Sequence, residues 1–360
     1  MKRLGPWVAL ALWSAGCASS PSYRATPGRY DLVPPAWREP LASARLAFDR
    51  GDYRSAYLTL SPLAGKGPEI LPVQVFYQDA QLAVLTAEGA LGELHAASSE
   101  EARSALASMY LKDASREPYA ARYVLAARLA ATPEEALSLL DAADTVDPRC
   151  VWVHYARAWW RYHTRYFKQA RDDLKRALNL DAGHLPSVRL QATMMAGAGD
   201  TEEAVAALEV WLERTAGNPL FSGAERADAL LDLAALNVVL DEPEAALELL
   251  AELDPRAIRD PARPEEVRAA AYEALGELTL ALEAVARAAQ ASSDDALPLV
   301  QRALLQRRAG NSEGERQAWL ELLAATDRWR VADPNGELDF DAVLFRLQAE
   351  TRLERLGAQP

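Results

Sequence analysis

Along most of this chain the apolar residues fall three and four positions apart. Ala136, Leu139, Leu140 and Ala143 do so, as do Leu230, Leu233, Ala234 and Leu236. That spacing places each set on one face of an α-helix. No stretch alternates apolar and polar residues as a half-buried strand would, so the pattern predicts an all-α fold. A slower beat runs over the helical one. Ala102, Ala136, Ala170 and Ala204 stand 34 residues apart, each four before a leucine: Leu106, Leu140, Leu174 and Leu208. Three of them end the tripeptide Glu-Glu-Ala, at Glu100–Glu101–Ala102, Glu134–Glu135–Ala136 and Glu202–Glu203–Ala204. A fixed period of this length marks stacked helical hairpins, each burying its apolar face only against its neighbours.

The phase extends both ways. Ala56 with Leu60 precedes Ala102 by 46 residues, one period plus 12. Ala245 with Leu249 follows Ala204 by 41, one period plus seven. Ala281 with Val285 comes 36 later, and Glu315 with Trp319 one period after that, where the small residue is lost. Gly51–Asp52, Gly199–Asp200, Gly276–Glu277 and Gly310–Asn311 read as turns between the two helices of a unit. Glycine takes a left-handed backbone without a Cβ clash, and an acid suits the helix N-terminus that follows. Asp147–Pro148 and Asp254–Pro255 close units, since proline cannot donate the N–H that continues a helix.

These residues resemble the tetratricopeptide repeat family. The best single match runs from Asp147–Pro148 through Ala158, Tyr166–Phe167–Lys168–Gln169–Ala170, Leu174 and Ala177 to Asp181. The resemblance covers residues 37–327. It implies a right-handed α-α superhelix, a solenoid of about seven to eight helical hairpins, in which Ala158 and Ala170 mark the close approach of two helices. This chain departs from the family where large rings are expected: His154 stands four before Ala158. Residues 328–360 read as a turn and a capping helix with Phe340, Val343, Leu344 and Leu347 on one face, covering the last repeat. Acids alternate from Asp333 to Asp341, but without the glycine and closing glutamate of a calcium loop, and a turn before that helix explains them better.

The N-terminus carries an address. Lys2–Arg3, an apolar run from Leu4 to Trp13 and Ser14–Ala15–Gly16–Cys17 make residues 1–16 a secretory leader. The run is too short to span a bilayer core of ~30 Å. The small residues before Cys17 resemble a bacterial lipoprotein cleavage site, which implies that Cys17 becomes the acylated first residue; plain secretory cleavage nearby is the other reading. With Ala18 following, the resemblance implies an outer-membrane anchor facing the periplasm. Residues 17–36, rich in Ser, Pro and Gly, then read as the lipidated cysteine and a disordered tether. Cys150, at an inter-repeat turn, is left as the only other thiol and reads as a packing residue.

Composition narrows the class. Half the residues are apolar and a quarter charged, as in a folded helical protein. The net charge is -13, and loss of Lys2 and Arg3 leaves 37 basic against 52 acidic residues, or -15. Such a surface repels nucleic acid and anionic headgroups. The four histidines, His95, His154, His163 and His184, lack ligand spacing with Cys or carboxylates, so no metal site, cofactor or catalytic residue is expected. Gly65–Lys66–Gly67 lacks the remaining glycine and Ser/Thr of a phosphate loop.

The densest chemistry is aromatic. Trp152, Tyr155, Trp159 and Tyr162 fall on one helical face, with His163 at its edge. In the tetratricopeptide family that face lines the concave groove, and the equivalent places nearby hold Arg128 and Arg189. Aromatic rings beside arginines are what binding hot spots favour. A helix shifted by one or two residues would turn the same rings into the core, and His154 and Arg161 at packing places hint at such a shift. The expectation is a non-catalytic, lipid-anchored scaffold binding a peptide or helix of another envelope protein. Alternatives are an accessory subunit of a secretion, pilus or outer-membrane-protein assembly machine, a small-ligand binder or enzyme with a groove site, and a plain spacer. Mass spectrometry of the mature N-terminal peptide is expected to show Cys17 first and acylated. An unmodified Cys17, or its absence, would sink the anchor.

Overall fold

The computed structural model describes residues 29–87, 99–258, 260–291, 297–332 and 340–357. Among these residues are seventeen α-helices, three 3-10 turns and no strand. The chain divides into two compact units: Met1–Pro40 with Tyr53–Ser187, and Leu41–Asp52 with Val188–Pro360. Helix α1 (Arg38–Asp49) belongs to the second unit from Leu41 onward.

The first unit contains α2 (Tyr53–Lys66), α3 (Leu71–Ala87), α4 (Ser99–Arg116), α5 (Ala120–Ala127), α6 (Pro133–Val146), α7 (Val151–His163) and α8 (Phe167–Leu180). Consecutive helices pack together, and α5 also packs on α3 and on α7. That is the contact pattern of stacked hairpins, in which a first helix meets its own second helix and the next first helix. One core runs through the unit, from Leu71 and Leu106 to Leu140 and Ala177. Helix α9 (Leu185–Ala198) crosses the unit boundary. The second unit continues with α10 (Thr201–Thr215), α11 (Gly223–Val239), α12 (Pro243–Ala251), α13 (Arg263–Ala274), α14 (Leu278–Ala291), α15 (Leu297–Arg308), α16 (Ser312–Ala332) and α17 (Phe340–Arg355). It repeats the same contacts, including α11 on α13.

The 34-residue beat is a burial pattern. Ala56, Ala136, Ala170, Ala204 and Ala281 are fully buried, and the partner four residues on is buried in each case. A methyl group there lets two helices approach closely, whereas a longer side chain would hold them apart. In the sixth hairpin the register differs from the expectation by one: Ala246 and Leu250 are the buried pair, and Ala245 and Leu249 are only half-buried. The extra residues lie in the connection 216–222 and in the 17-residue helix α11. This insertion is a seat, because Arg45 of α1 donates to the carbonyls of Pro219 (3.0 Å) and Leu220 (3.3 Å).

The turns within hairpins share one geometry. At Gly199 the backbone is left-handed (φ 88°), and Asp200 N–H reaches back to Met195 C=O at 3.0 Å. This bond closes a Schellman C-cap and satisfies a carbonyl the helix end would otherwise orphan. The turn is imposed by the repeat and not by glycine, since Arg165 and Asp241 adopt φ 64° at the matching places. A left-handed non-glycine residue costs on the order of 1 kcal/mol, which the packing around it outweighs. The third hairpin opens its second helix differently: Thr132 accepts from Glu135 N–H while the Glu135 carboxylate accepts from Ala131 N–H. One glutamate of its Glu-Glu-Ala tripeptide is thus an N-terminal cap.

Three expectations need revision. The tether 17–36 is partly folded: Arg29–Asp31 and Pro35–Trp37 form 3-10 turns, and Tyr30 is buried in the first unit's core. Glu315, where the beat loses its small residue, is buried and accepts from Arg352 Nη2 (2.7 Å) of α17 and from Trp319 Nε1 (3.3 Å). The last helix packs on the last hairpin with Ala349 and Leu353 against Trp319 and Leu322, and Leu347 is exposed; the side chains of Phe340, Val343 and Leu344 lie outside the described residues. The leader, Cys17, His95 and the acid-rich turn 333–339 lie outside the described residues.

Glu315→Ala strands Arg352 and the Trp319 N–H in a mostly dry site, a loss of about 3 kcal/mol. Faster amide exchange across residues 346–356 is the expected readout; unchanged exchange there would remove Glu315 from any role in holding the cap.

Candidate partner-binding face

Helix α7 begins after an Asx turn in which Asp147 Oδ1 accepts from Arg149 N–H at 3.0 Å. It ends at the left-handed Arg165, where Tyr166 N–H returns to Arg161 C=O at 2.8 Å. Ala158 and Ala170 are both at 0% exposure, so the helix sits in the unshifted register. His154 and Arg161 therefore do occupy packing places, where His154 is satisfied by hydrogen bonds and Arg161 by an ion pair with Asp173.

Arg157, buried between α6 and α8, is the centre of that arrangement. Its Nε meets Asp173 Oδ1 at 3.2 Å, its Nη1 meets Asp141 Oδ1 at 3.1 Å and Asp144 Oδ2 at 3.4 Å, and its Nη2 meets His154 Nδ1 at 3.2 Å. Arg161 Nη1 takes the other oxygen of Asp173 at 2.5 Å. His154 Nε2 lies 3.0 Å from Pro148 C=O, which can only accept, so Nε2 carries the proton and Nδ1 accepts from Arg157. Burial opposes the guanidinium charge, but Asp173, Asp144 and Asp141 outweigh it and hold the Arg157 pKa above its ordinary value.

Charge takes part of the packing side, and the structure divides the rings between core and surface. Trp152 is 6% exposed, covered by Asp31, whose carboxylate accepts from Trp152 Nε1 at 2.9 Å. Tyr155 is half-buried, edge-on to Trp152 at 5.8 Å. Beyond them the face is open. Trp159 is 38% exposed and packs on His163 with centroids 4.0 Å apart. Tyr162 touches His163 at 5.4 Å and Phe167 at 5.7 Å, and Tyr166 and Phe167 are more than half exposed. Trp152 is thus a core residue, while Trp159, Tyr166 and Phe167 are exposed.

The arginines are committed elsewhere. Arg128 is bound to Gln78 Oε1 (2.5 Å) and Asp79 Oδ1 (3.2 Å) of α3. Arg189, in the second unit, pairs with Asp232 and stands over the Trp211 ring at 5.9 Å. Cys150 is fully buried, and burial pushes its thiol up to about 12, which leaves it inert at neutral pH. Sequence reasoning missed Tyr30, Asp31 and His184 as members of this face. Tyr30 and Asp31 lie more than a hundred residues away, where periodicity carries no signal; His184 packs edge-on to Trp152 at 4.9 Å. The acids Asp141, Asp144 and Asp173 opposite His154, Arg157 and Arg161 were the available signal for the buried network. What the open end offers is aromatic contact area flanked by hydrogen-bonding groups, the chemistry of recognition.

No protein-family model matches the chain, and no curated protein matches its sequence. Solved structures do. A chain of the Cut9–Hcn1 hetero-tetramer of the APC/C superposes with a TM-score of 0.56 at 16% identity, over 86% of this chain. This chain covers 55% of that one, about half its length. PilF of Pseudomonas aeruginosa gives a TM-score of 0.45 at 18% identity over 70% of this chain and 98% of that one. YrrB, a tetratricopeptide repeat protein with an unusual peptide-binding site, gives 0.42 at 18% identity over 54% and 97%. The first likeness bears on the fold alone, an all-α superhelical repeat of the tetratricopeptide type.

Asp173→Ala leaves Arg157 buried with its main partner gone and is expected to cost roughly 3–5 kcal/mol in chemical denaturation. A loss under 1 kcal/mol would mean that the network is incidental to the packing of α7 on α8.

Proposed function

We propose that this chain is a non-catalytic interaction scaffold that binds a peptide or helix of a partner protein along the aromatic face of α7. The observation that carries this reading is the open end of that face, where Trp159, Tyr166 and Phe167 stay exposed although the chain has ample polar residues to cover them. Large rings clustered at a surface, with Tyr162 and His163 packed beside them, have the composition of a binding hot spot. A short helix laid along this face would bury the open rings at little conformational cost, since neighbouring rings already hold Trp159 and Tyr162 in place.

The site of action we infer is the bacterial cell envelope, with the protein anchored by acyl chains on Cys17 and its partner another envelope protein. The leader and the small residues before Cys17 support this. More than one chain gives a stable anchor, each buried CH₂ contributing ~0.8 kcal/mol. The acidic surface fits protein partners and disfavours nucleic acid.

Affinity capture from detergent-solubilised envelopes tests the reading. Trp159→Ala is expected to reduce partner recovery at least tenfold, as loss of a hot-spot ring does, with a nearly unchanged melting temperature. A melting temperature many degrees lower would instead make Trp159 a core residue. Equal recovery with both forms would remove the face from partner binding.

A further inference from the structure

The closed end of the α7 face is closed by the chain itself. The 3-10 turn Arg29–Asp31 lies against α3 and the start of α7. Asp31 takes the Trp152 indole N–H, and the Tyr30 hydroxyl donates to the Asp147 carboxylate. The turn belongs to none of the helical hairpins, yet Tyr30 is as buried as the repeat core. A ring with a hydroxyl followed by a carboxyl, each read by one side chain, is how a short peptide is recognised.

Two features accompany this occupant. His184, 2% exposed, packs edge-on against Trp152 (4.9 Å) and Tyr155 (5.4 Å); its Nδ1 lies 2.7 Å from Ser187 Oγ, and its Nε2 is buried without a partner. A buried polar atom left unpaired is a cost the present arrangement does not remove. Burial also pushes the Asp31 carboxyl up to about 7; the Trp152 hydrogen bond works against that rise and the Asp181 charge adds to it.

We propose that Trp152, Tyr155, His184 and Asp147 form a recognition subsite for an aromatic–acidic dipeptide, with Tyr30–Asp31 as its built-in, displaceable occupant. The partner segment that displaces it presents a tyrosine hydroxyl next to a carboxyl and continues onto the open rings toward Trp159. This extends the scaffold reading above and rests on it for the partner.

Docking of the occupant depends on pH. Asp31 is held near 7 when docked and returns to the ordinary 3.8 when released. Because the docked form keeps its proton longer, docking is fully present below about pH 4. It weakens up to about tenfold per unit as pH rises to about 7, and is level above that. Of the other groups at this site, burial holds His184 neutral, near 3, and Cys150 neutral, near 12. Asp181 faces Asp31 as a like charge, and Asp147 binds the Tyr30 hydroxyl. On α3, Tyr77 stacks on Tyr57 and Asp79 pairs with Arg128.

The test uses the full chain and a fluorescent peptide of residues 29–37. At pH 6 the double variant Tyr30→Ala/Asp31→Ala should bind the peptide at least tenfold more tightly than wild type, because the competitor in cis is gone. A peptide with Asp31→Ala should not bind. A double variant that unfolds, or that folds and binds no better than wild type, overturns the proposal. Asp31→Asn keeps an acceptor without a titrating proton, so the protection of amides 29–37, taken relative to their intrinsic exchange rate at each pH, should fall with pH in wild type and stay flat in the variant; parallel protection profiles would overturn the coupling. Peptide binding preserved alongside failed partner capture sinks the scaffold reading alone. Capture preserved without peptide binding sinks only the subsite.

Discussion

The close approach of two helices at a methyl group is the constraint on which the rest of this molecule rests. Ala158 and Ala170 are fully buried on two helices that pack together, and a longer side chain at such a place would hold the helices apart. Repeated at Ala56, Ala136, Ala204, Ala246 and Ala281, the contact sets the register of each hairpin. Once register is set, every other residue of α7 has an assigned side. The fourth hairpin places Arg157, Arg161 and His154 on its packing side, keeps Trp152 in the core and leaves Trp159, Tyr166 and Phe167 exposed.

That exchange of sides has an energetic logic. Buried ions contribute little net stability, because desolvation cancels much of their attraction. Their geometry is demanding, however, and Arg157 uses all three of its nitrogens to reach Asp141, Asp144, Asp173 and His154. A network so fully paired fixes one orientation of α7. The rings displaced from the core are then held in position without being consumed by packing. The last hairpin uses the same device more simply: Glu315 replaces the small residue and becomes the socket for Arg352 of the capping helix.

Much of this could be read from the chain before any coordinates. The helices, the period, the turn residues and the aromatic face all follow from spacings of three, four and 34, which report contacts between neighbours. The reading failed by one residue at Ala245, where the insertion lies inside a helix and slides the phase. At Glu315 the spacing shows only that the small residue is lost, since a lone acid does not reveal a distant arginine. The same reading left the rings undecided between groove and core because the agent that separates them, the turn carrying Tyr30 and Asp31, comes from the far N-terminus. Contacts of that range leave no periodic trace.

The bond from Arg45 to Pro219 and Leu220 has a consequence for biosynthesis. In a repeat chain most contacts are local, and each hairpin can close as soon as it is made. Arg45 is made early, yet its two carbonyl acceptors come 174 and 175 residues later. At ~5–20 residues per second, helix α1 waits on the order of 10–35 s for the other half of its seat. The part of the second unit that lies first in the chain, with its buried Leu41 and Ala44, therefore completes its contacts only after the chain has been made past residue 220.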